Sequence, residues 1–258
     1  DRSPSRGLGD VYKRQDLALV SLHILHCDAT MRTDSSSKEA IEAWKTPLFG
    51  PYFHQTGYIV ATTGAAPPKA IHHLQAALET IQANPIFKSK ITALNGKKEF
   101  QDFAWQFSGP LNGFQGYHNR LAGYAHSSNA LHGIWRHLAA RGVKFVLGEH
   151  AGKVEELLYE DTPATDRKCV GIRTADGKSY HADTTICALG GHAASLIPGL
   201  GRFVMARCWS VAHIQLTASE VDLLRGLPTT NVRDLGFFFE PDPETRLFKL
   251  CPLGAGYT

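Results

Sequence analysis

The chain has 258 residues, 43% of them hydrophobic and 20% charged, with a formal net charge of +3. This is a globular composition with material for one large core or two smaller domains, and without a basic run interleaved with aromatics it excludes nucleic-acid binding as a principal role. No apolar run is long enough to span a bilayer, since the best, Leu17 to Leu25, is interrupted by Ser21 and His23.

In chain order, residues 1–15 read as a non-native leader. Asp10-Val11-Tyr12-Lys13-Arg14-Gln15 matches one reading frame of a transposon-end sequencing adapter, and such segments are set aside from fold reasoning. Gly7-Leu8-Gly9 is not a dinucleotide fingerprint, because Tyr12 stands where the third glycine belongs and no strand precedes it. Residues 38–45 suit a short amphipathic helix, broken by Pro47, Gly50 and Pro51. Gly57 to Ala61 reads as a strand. Lys69 to Gln82 reads as a helix with Ile71, Leu74, Leu78 and Ile81 on one face. A second helix is expected over Gly96 to Phe107, and Ser108 to Asn119, with Gly109, Pro110, Gly113 and Gly116, as loop.

From Gly123 to Pro198 the pattern reads helix, strand, hairpin, strand, turn. Ser127 is the expected N-cap of a helix whose Leu131, Ile134, Trp135 and Leu138 recur at helical spacing, and Gly142 ends it. Val143-Lys144-Phe145-Val146 follows as a short strand, and Gly152 to Leu157 as another. Cys169 to Thr174 and Lys178 to Ala182 flank Asp176-Gly177, a strong hairpin turn. Thr184 to Ala188 is expected as a buried strand running into Gly190 and Gly191, where a backbone can approach a bulky ligand.

After Pro198 an antiparallel pattern is expected. Cys208 to Leu216 alternates as a strand, and Thr217 with Glu220 makes a capping box for a helix through Leu224. Leu235 to Glu240 and Arg246 to Cys251 read as a hairpin joined by residues 241–245. The five cysteines lack CxxC spacing, which suits a reducing intracellular compartment and supports neither a disulfide framework nor a zinc site. His72 and His73 point about 100° apart on their helix, and His132 and His137 are off same-face spacing, so no metal site is expected. There is no nucleophile-elbow sequence for a hydrolase.

Several stretches taken together carry a resemblance: Gly123-Tyr124-Ala125-His126, Arg141-Gly142-Val143-Lys144-Phe145, Ala212-His213-Ile214-Gln215-Leu216-Thr217 and Asp234-Leu235-Gly236-Phe237-Phe238-Phe239-Glu240-Pro241. Trp44-Lys45-Thr46-Pro47-Leu48-Phe49 and Tyr52-Phe53-His54-Gln55-Thr56-Gly57 belong to the same set. They resemble the FAD-dependent amine oxidases of the sarcosine oxidase and D-amino-acid oxidase superfamily, with the closest likeness to fructosyl amino acid oxidases (amadoriases) and saccharopine oxidase-like proteins. The likeness runs over roughly residues 28–258.

The resemblance implies an α/β and α+β fold: a partial Rossmann-like FAD-binding domain and a substrate domain with an antiparallel sheet, truncated at both ends. The segments expected are 16–37 and 120–200 for the cofactor domain, and 38–119 and 201–258 for the substrate domain. It implies FAD as cofactor and a small amine or amino acid with O2 as reactants, in the cytoplasm or a peroxisome. It places Lys249 at the lysine facing flavin N5, where a fixed positive charge assists oxygen reduction. Asp28 falls beside the flavin, and Arg32 is either a receiver of a substrate carboxylate or a surface arginine. Val154 resembles the residue whose backbone meets adenine, and Ala188, Gly190 and Gly191 the turn near the pyrophosphate and ribityl chain. Leu253 stands where amadoriases carry an acidic residue that helps bind the sugar–amino acid, which points to a less polar secondary amine or N-substituted amino acid. Cys251 is expected as a small packed residue rather than the flavin linkage. The alternatives are a flavin dehydrogenase with another electron acceptor and a non-catalytic domain that keeps the scaffold.

Overall fold

The run Tyr58-Ile59-Val60-Ala61-Thr62 is buried at every position, and the first of two units is built around it. The computed structural model describes residues 42–160, 168–197, 199–206 and 210–252. One unit takes in the described residues of Asp1–His137 and Ser210–Gly254, the other those of Leu138–Trp209. The leader, Asp28, Arg32 and Leu253 lie outside the described residues.

The first unit carries β1 (Phe53–His54), β2 (Tyr58–Thr62), α1 (Pro68–Ala83), the one-turn α2 (Pro85–Lys88), β3 (Ile91–Asn95), α3 (Lys97–Phe103), β4 (Gln115–Asn119), β5 (Tyr124–Ala125) and most of α4 (Ser127–Ala140). The second carries β6 (Val154–Tyr159), β7 (Cys169–Thr174), β8 (Ser179–His181) and the short α5 (Ala193–Leu196). The chain returns to the first unit with β9 (Ala212–Gln215), α6 (Ala218–Leu224), β10 (Thr229–Val232), β11 (Gly236–Phe238) and β12 (Leu247–Pro252).

Seven strands of the first unit form one sheet in the order β3-β4-β2-β10-β11-β12-β9. Every pair is antiparallel except β2 with β10, where Tyr58 sits opposite Thr229. Successive side chains alternate across a sheet, so β2 feeds two cores. Tyr58 and Val60 pack with Leu74 and Ile81 of α1 and with Phe87, Ile91 and Tyr117. Ile59 and Ala61 pack on the other face with Leu94 and Phe100, against Phe107, Leu111 and Phe114. Full burial of such side chains contributes roughly 1.5–3 kcal/mol each, which explains why this strand is a continuous apolar run.

Most local signals are realised. In 42–45, the described part of the first expected helix, residues 42–44 are helical and Lys45 is in a turn. The Thr217–Glu220 capping box forms in both directions. Gly142 has φ +86°, and the Gly142 and Val143 N–H groups donate to the Ala139 and Leu138 carbonyls, a Schellman ending for α4. Asp176-Gly177 joins β7 to β8, with the Asp176 carboxylate accepting from the Thr174 hydroxyl and the Lys178 N–H.

Several expectations are corrected. The expected loop 108–119 ends in β4, whose Gly116 lets the strand lie against β2: a Cβ there would come 2.2 Å from the Val60 carbonyl oxygen. Gly116 therefore marks close approach rather than a turn. The helix expected to reach Phe107 stops at Phe103, because Ala104 is extended. The α4 cap lies one residue before Ser127: the His126 Nδ1 accepts from the Asn129 N–H at 3.3 Å. Strands β3 and β10 carry too few apolar alternations to stand out in the sequence. Neither Val143–Val146 nor Thr184–Ala188 is a strand, and both are largely exposed, Ile186 at 88%. A strand needs a hydrogen-bonded neighbour, and neither run meets one among the described residues. In the segment expected to supply the cofactor domain, the described strands make the antiparallel sheet β6-β7-β8, with the expected hairpin between β7 and β8. No helix among the described residues is long and apolar enough to cross a membrane.

Candidate functional site

Lys249 lies in the middle of β12, one strand in from the β9 edge. On one face of β12, Phe248 packs against Phe238, and Phe238 against Phe107. Alternation puts Lys249 on the opposite face with Leu247 and Cys251. Direct cross-strand partners share a face, so His213 of β9 stands beside Lys249 and Phe237 of β11 beside Cys251. The face is open to solvent at His213 and Gln215, while Lys249 itself is half-buried. Burial and the neighbouring Lys249 charge both lower the His213 pKa, which keeps the imidazole neutral. Burial raises the Cys251 thiol, partly offset by Lys249, so Cys251 is a half-buried thiol.

The other described residues assigned from the resemblance lie in the second unit. Val154 opens β6, and α5, which follows the turn through Ala188, Gly190 and Gly191, packs beside that strand. Gly190 has φ +54°, with open space where a Cβ would be. Gly190 opens the one-turn 3-10 helix Gly190–His192, so the turn allows close backbone approach.

A second constellation joins residues far apart in the sequence. Tyr124 stacks between His54 and Phe239, with ring centroids 4.7 and 5.2 Å away. Its hydroxyl donates to Glu240 at 2.6 Å, and the other Glu240 oxygen accepts from the Gly226 N–H. Burial first, then the Glu240 carboxylate, drives the Tyr124 phenol well above its usual range. Nearby, His126 Nε2 meets Asp242 Oδ2 at 3.1 Å. Since His126 Nδ1 accepts a backbone N–H, the proton sits on Nε2 and is donated to Asp242. Burial pushes the Asp242 carboxyl up, but hydrogen bonds from His126 and from the Thr245 and Glu244 N–H groups outweigh it and hold it at about 2. The signal was present in Gly123-Tyr124-Ala125-His126 and Phe239-Glu240-Pro241-Asp242; what the sequence lacked was their contact. Elsewhere in this unit Pro67, Lys69, Ala70, His73 and Arg233 line a cavity of about 330 Å³, and none of the described residues assigned from the resemblance is among them.

Comparison with known proteins gives the family of the chain. The chain is similar to L-saccharopine oxidase of Schizosaccharomyces pombe, 35% identical over 143 residues that make up 54% of this chain and 32% of that protein. Its fold is similar to a thermally stable mutant of a fructosyl peptide oxidase, with TM-score 0.79 and 28% identity over 89% of this chain and 53% of the other. It is also similar to fructosamine oxidase (Amadoriase II) of Aspergillus fumigatus, with TM-score 0.73 and 31% identity over 86% of this chain and 49% of the other. The chain thus spans about half of these structures and a third of the saccharopine oxidase. Residues 22–255 match the DAO family model of FAD-dependent oxidoreductases, and the chain belongs to that family.

Proposed function

We propose that this chain serves an oxidase that converts the C–N bond of a secondary amine or N-substituted amino acid to an imine, with O2 reduced to hydrogen peroxide. The observation that carries the reading is Lys249, a half-buried cation on the open face of β12. When bound, FAD supplies the redox chemistry, taking a hydride from the C–H beside a neutral amine and passing two electrons to O2. The residues present fit such a group. Lys249 supplies a fixed positive charge that favours negative charge developing on oxygen. Neutral His213 stands beside it without a second charge to repel it. The turn at Ala188, Gly190 and Gly191 leaves room for a phosphate to approach the backbone at Gly190, and the Val154 backbone offers a contact for the adenine. The relatives' names, a saccharopine oxidase and fructosyl peptide and fructosamine oxidases, support a substrate with a substituted amine. Leu253 in place of an acidic residue favours a less polar one.

The test is the visible spectrum of the purified protein, followed by peroxide release on a panel of N-substituted amino acids. A flavin spectrum and peroxide are expected, with Lys249→Met slowing oxygen reduction on the order of 100-fold. Dye reduction without peroxide would select a dehydrogenase. A colourless, folded protein would overturn the flavoenzyme reading.

A further inference from the structure

The turn between β11 and β12 is held from outside the hairpin. Asp242 is only 4% exposed, and every polar group it has is engaged. One carboxylate oxygen accepts from the N–H groups of Glu244 and Thr245 at 2.7 and 2.9 Å. The other accepts from His126, which is itself fixed by its bond to Asn129 in the first turn of α4. The Asp242 N–H donates to the Leu247 carbonyl, and its own carbonyl accepts from the Arg246 N–H. One side chain and its peptide groups therefore set residues 244 to 247, the last of which begins β12.

Arg246 is strained. It has φ +58°, a left-handed conformation that is unfavourable for a non-glycine residue. Such strain persists only where the surroundings over-determine it. Here the Arg246 carbonyl accepts from the Leu216 N–H at 2.9 Å, and the Gln215 amide reaches the Thr245 carbonyl at 3.1 Å. The clamp determines register. A slip of one residue would turn Lys249 to the face of Phe238 and Phe107, because side chains alternate strictly along a strand.

We propose that Asp242 is a positioning residue for Lys249: with His126 it locks the strained turn so that Lys249 falls on the open face opposite His213. This inference rests on the reading of Lys249 as the cation that serves the flavin. Asp242→Asn tests it directly. The Asn oxygen still accepts from Glu244 and Thr245, but its amide N–H groups oppose the His126 Nε2–H, donor against donor.

The measurement is the affinity of the flavin-loaded protein for sulfite, which adds at flavin N5 and responds to positive charge there, together with the reoxidation rate of the reduced flavin. Asp242→Asn is expected to weaken sulfite binding about 10-fold and to slow reoxidation similarly, towards the behaviour of Lys249→Met, with a smaller change in the KM for amine. Arg246→Gly in the Asp242→Asn background should recover most of the affinity, since glycine takes positive φ without strain. Tyr124→Phe is the structural control: it removes the adjacent bond to Glu240 and should lower Tm without changing sulfite affinity. Gln215→Ala, an exposed change that loosens the turn from its other side, should weaken sulfite about 3-fold and serves if Asp242→Asn does not fold. Wild-type sulfite affinity in folded Asp242→Asn or in Gln215→Ala, with Lys249→Met impaired, overturns the positioning role alone. Wild-type affinity in Lys249→Met overturns the reading of Lys249 as well.

Discussion

The two units use similar residues to opposite effect. In the first, the apolar run of β2 has β4 on one side, β10 on the other, and a core on each face. In the second, Val143–Val146 and Thr184–Ala188 are as apolar, yet they lie largely exposed with no neighbouring strand among the described residues. The β6-β7-β8 hairpins of that unit form regardless, because a hairpin brings its partner with it. Apolar character makes a segment able to be a strand, and a neighbour makes it one.

Mutations can break or sharpen that contrast. The largest difference is expected between Ile59→Ala and Ile186→Ala. Ile59 is wholly buried, and its truncation should cost about 2–5 kcal/mol by chemical denaturation; Ile186→Ala should stay within about 0.5 kcal/mol. Equal costs would show that Ile186 is buried in solution and remove the contrast. A comparable effect is expected from pH. His118, on β4 of the first unit, is 7% exposed, and burial first, then Arg120, lowers its pKa to about 4. An unfolded histidine binds its proton near pH 6.5, so the unfolded state gains protons first as pH falls. Stability should be full above pH 6.5 and fall by on the order of 3 kcal/mol towards pH 4. His118→Gln should flatten that slope, and an unchanged slope would assign it to other groups. The smallest effects test the signals both units share. Thr217→Ala removes the α6 cap and Gly142→Ala burdens the left-handed end of α4; each should cost about 1 kcal/mol in denaturant midpoints. A near-zero cost at Gly142 alone would show that the end of α4 is frayed where it enters the second unit.

What could be read in the sequence follows the same division. The capping box at Thr217, the Schellman glycine at Gly142 and the Asp176-Gly177 turn are local chemistry, and each appears where expected. The alternation that turns Lys249 away from Phe248 and Leu250 was equally legible. The pairing of β12 with β9, which sets His213 beside Lys249, depends on a fold-level partner that no local pattern names. So does the meeting of His126 with Asp242, and of Tyr124 with Glu240, across 116 positions. Strand β10, Thr229-Thr230-Asn231-Val232, is buried throughout, yet its two threonines and asparagine give no apolar pattern in the sequence. Two of its side chains, Thr229 and Asn231, keep buried polar atoms without a described partner.

The parallel union of β2 and β10 also governs how the protein emerges from the ribosome. The antiparallel edge of β2 can be satisfied once β4 has been made, but its other edge waits for a strand roughly 170 residues downstream. At about 5–20 residues per second, that edge stands unpaired for roughly 10–30 s of synthesis. During that interval the most apolar strand of the sheet is a template for any other nascent chain. Such a topology makes a long-range pair one of the last parts of the sheet to be completed.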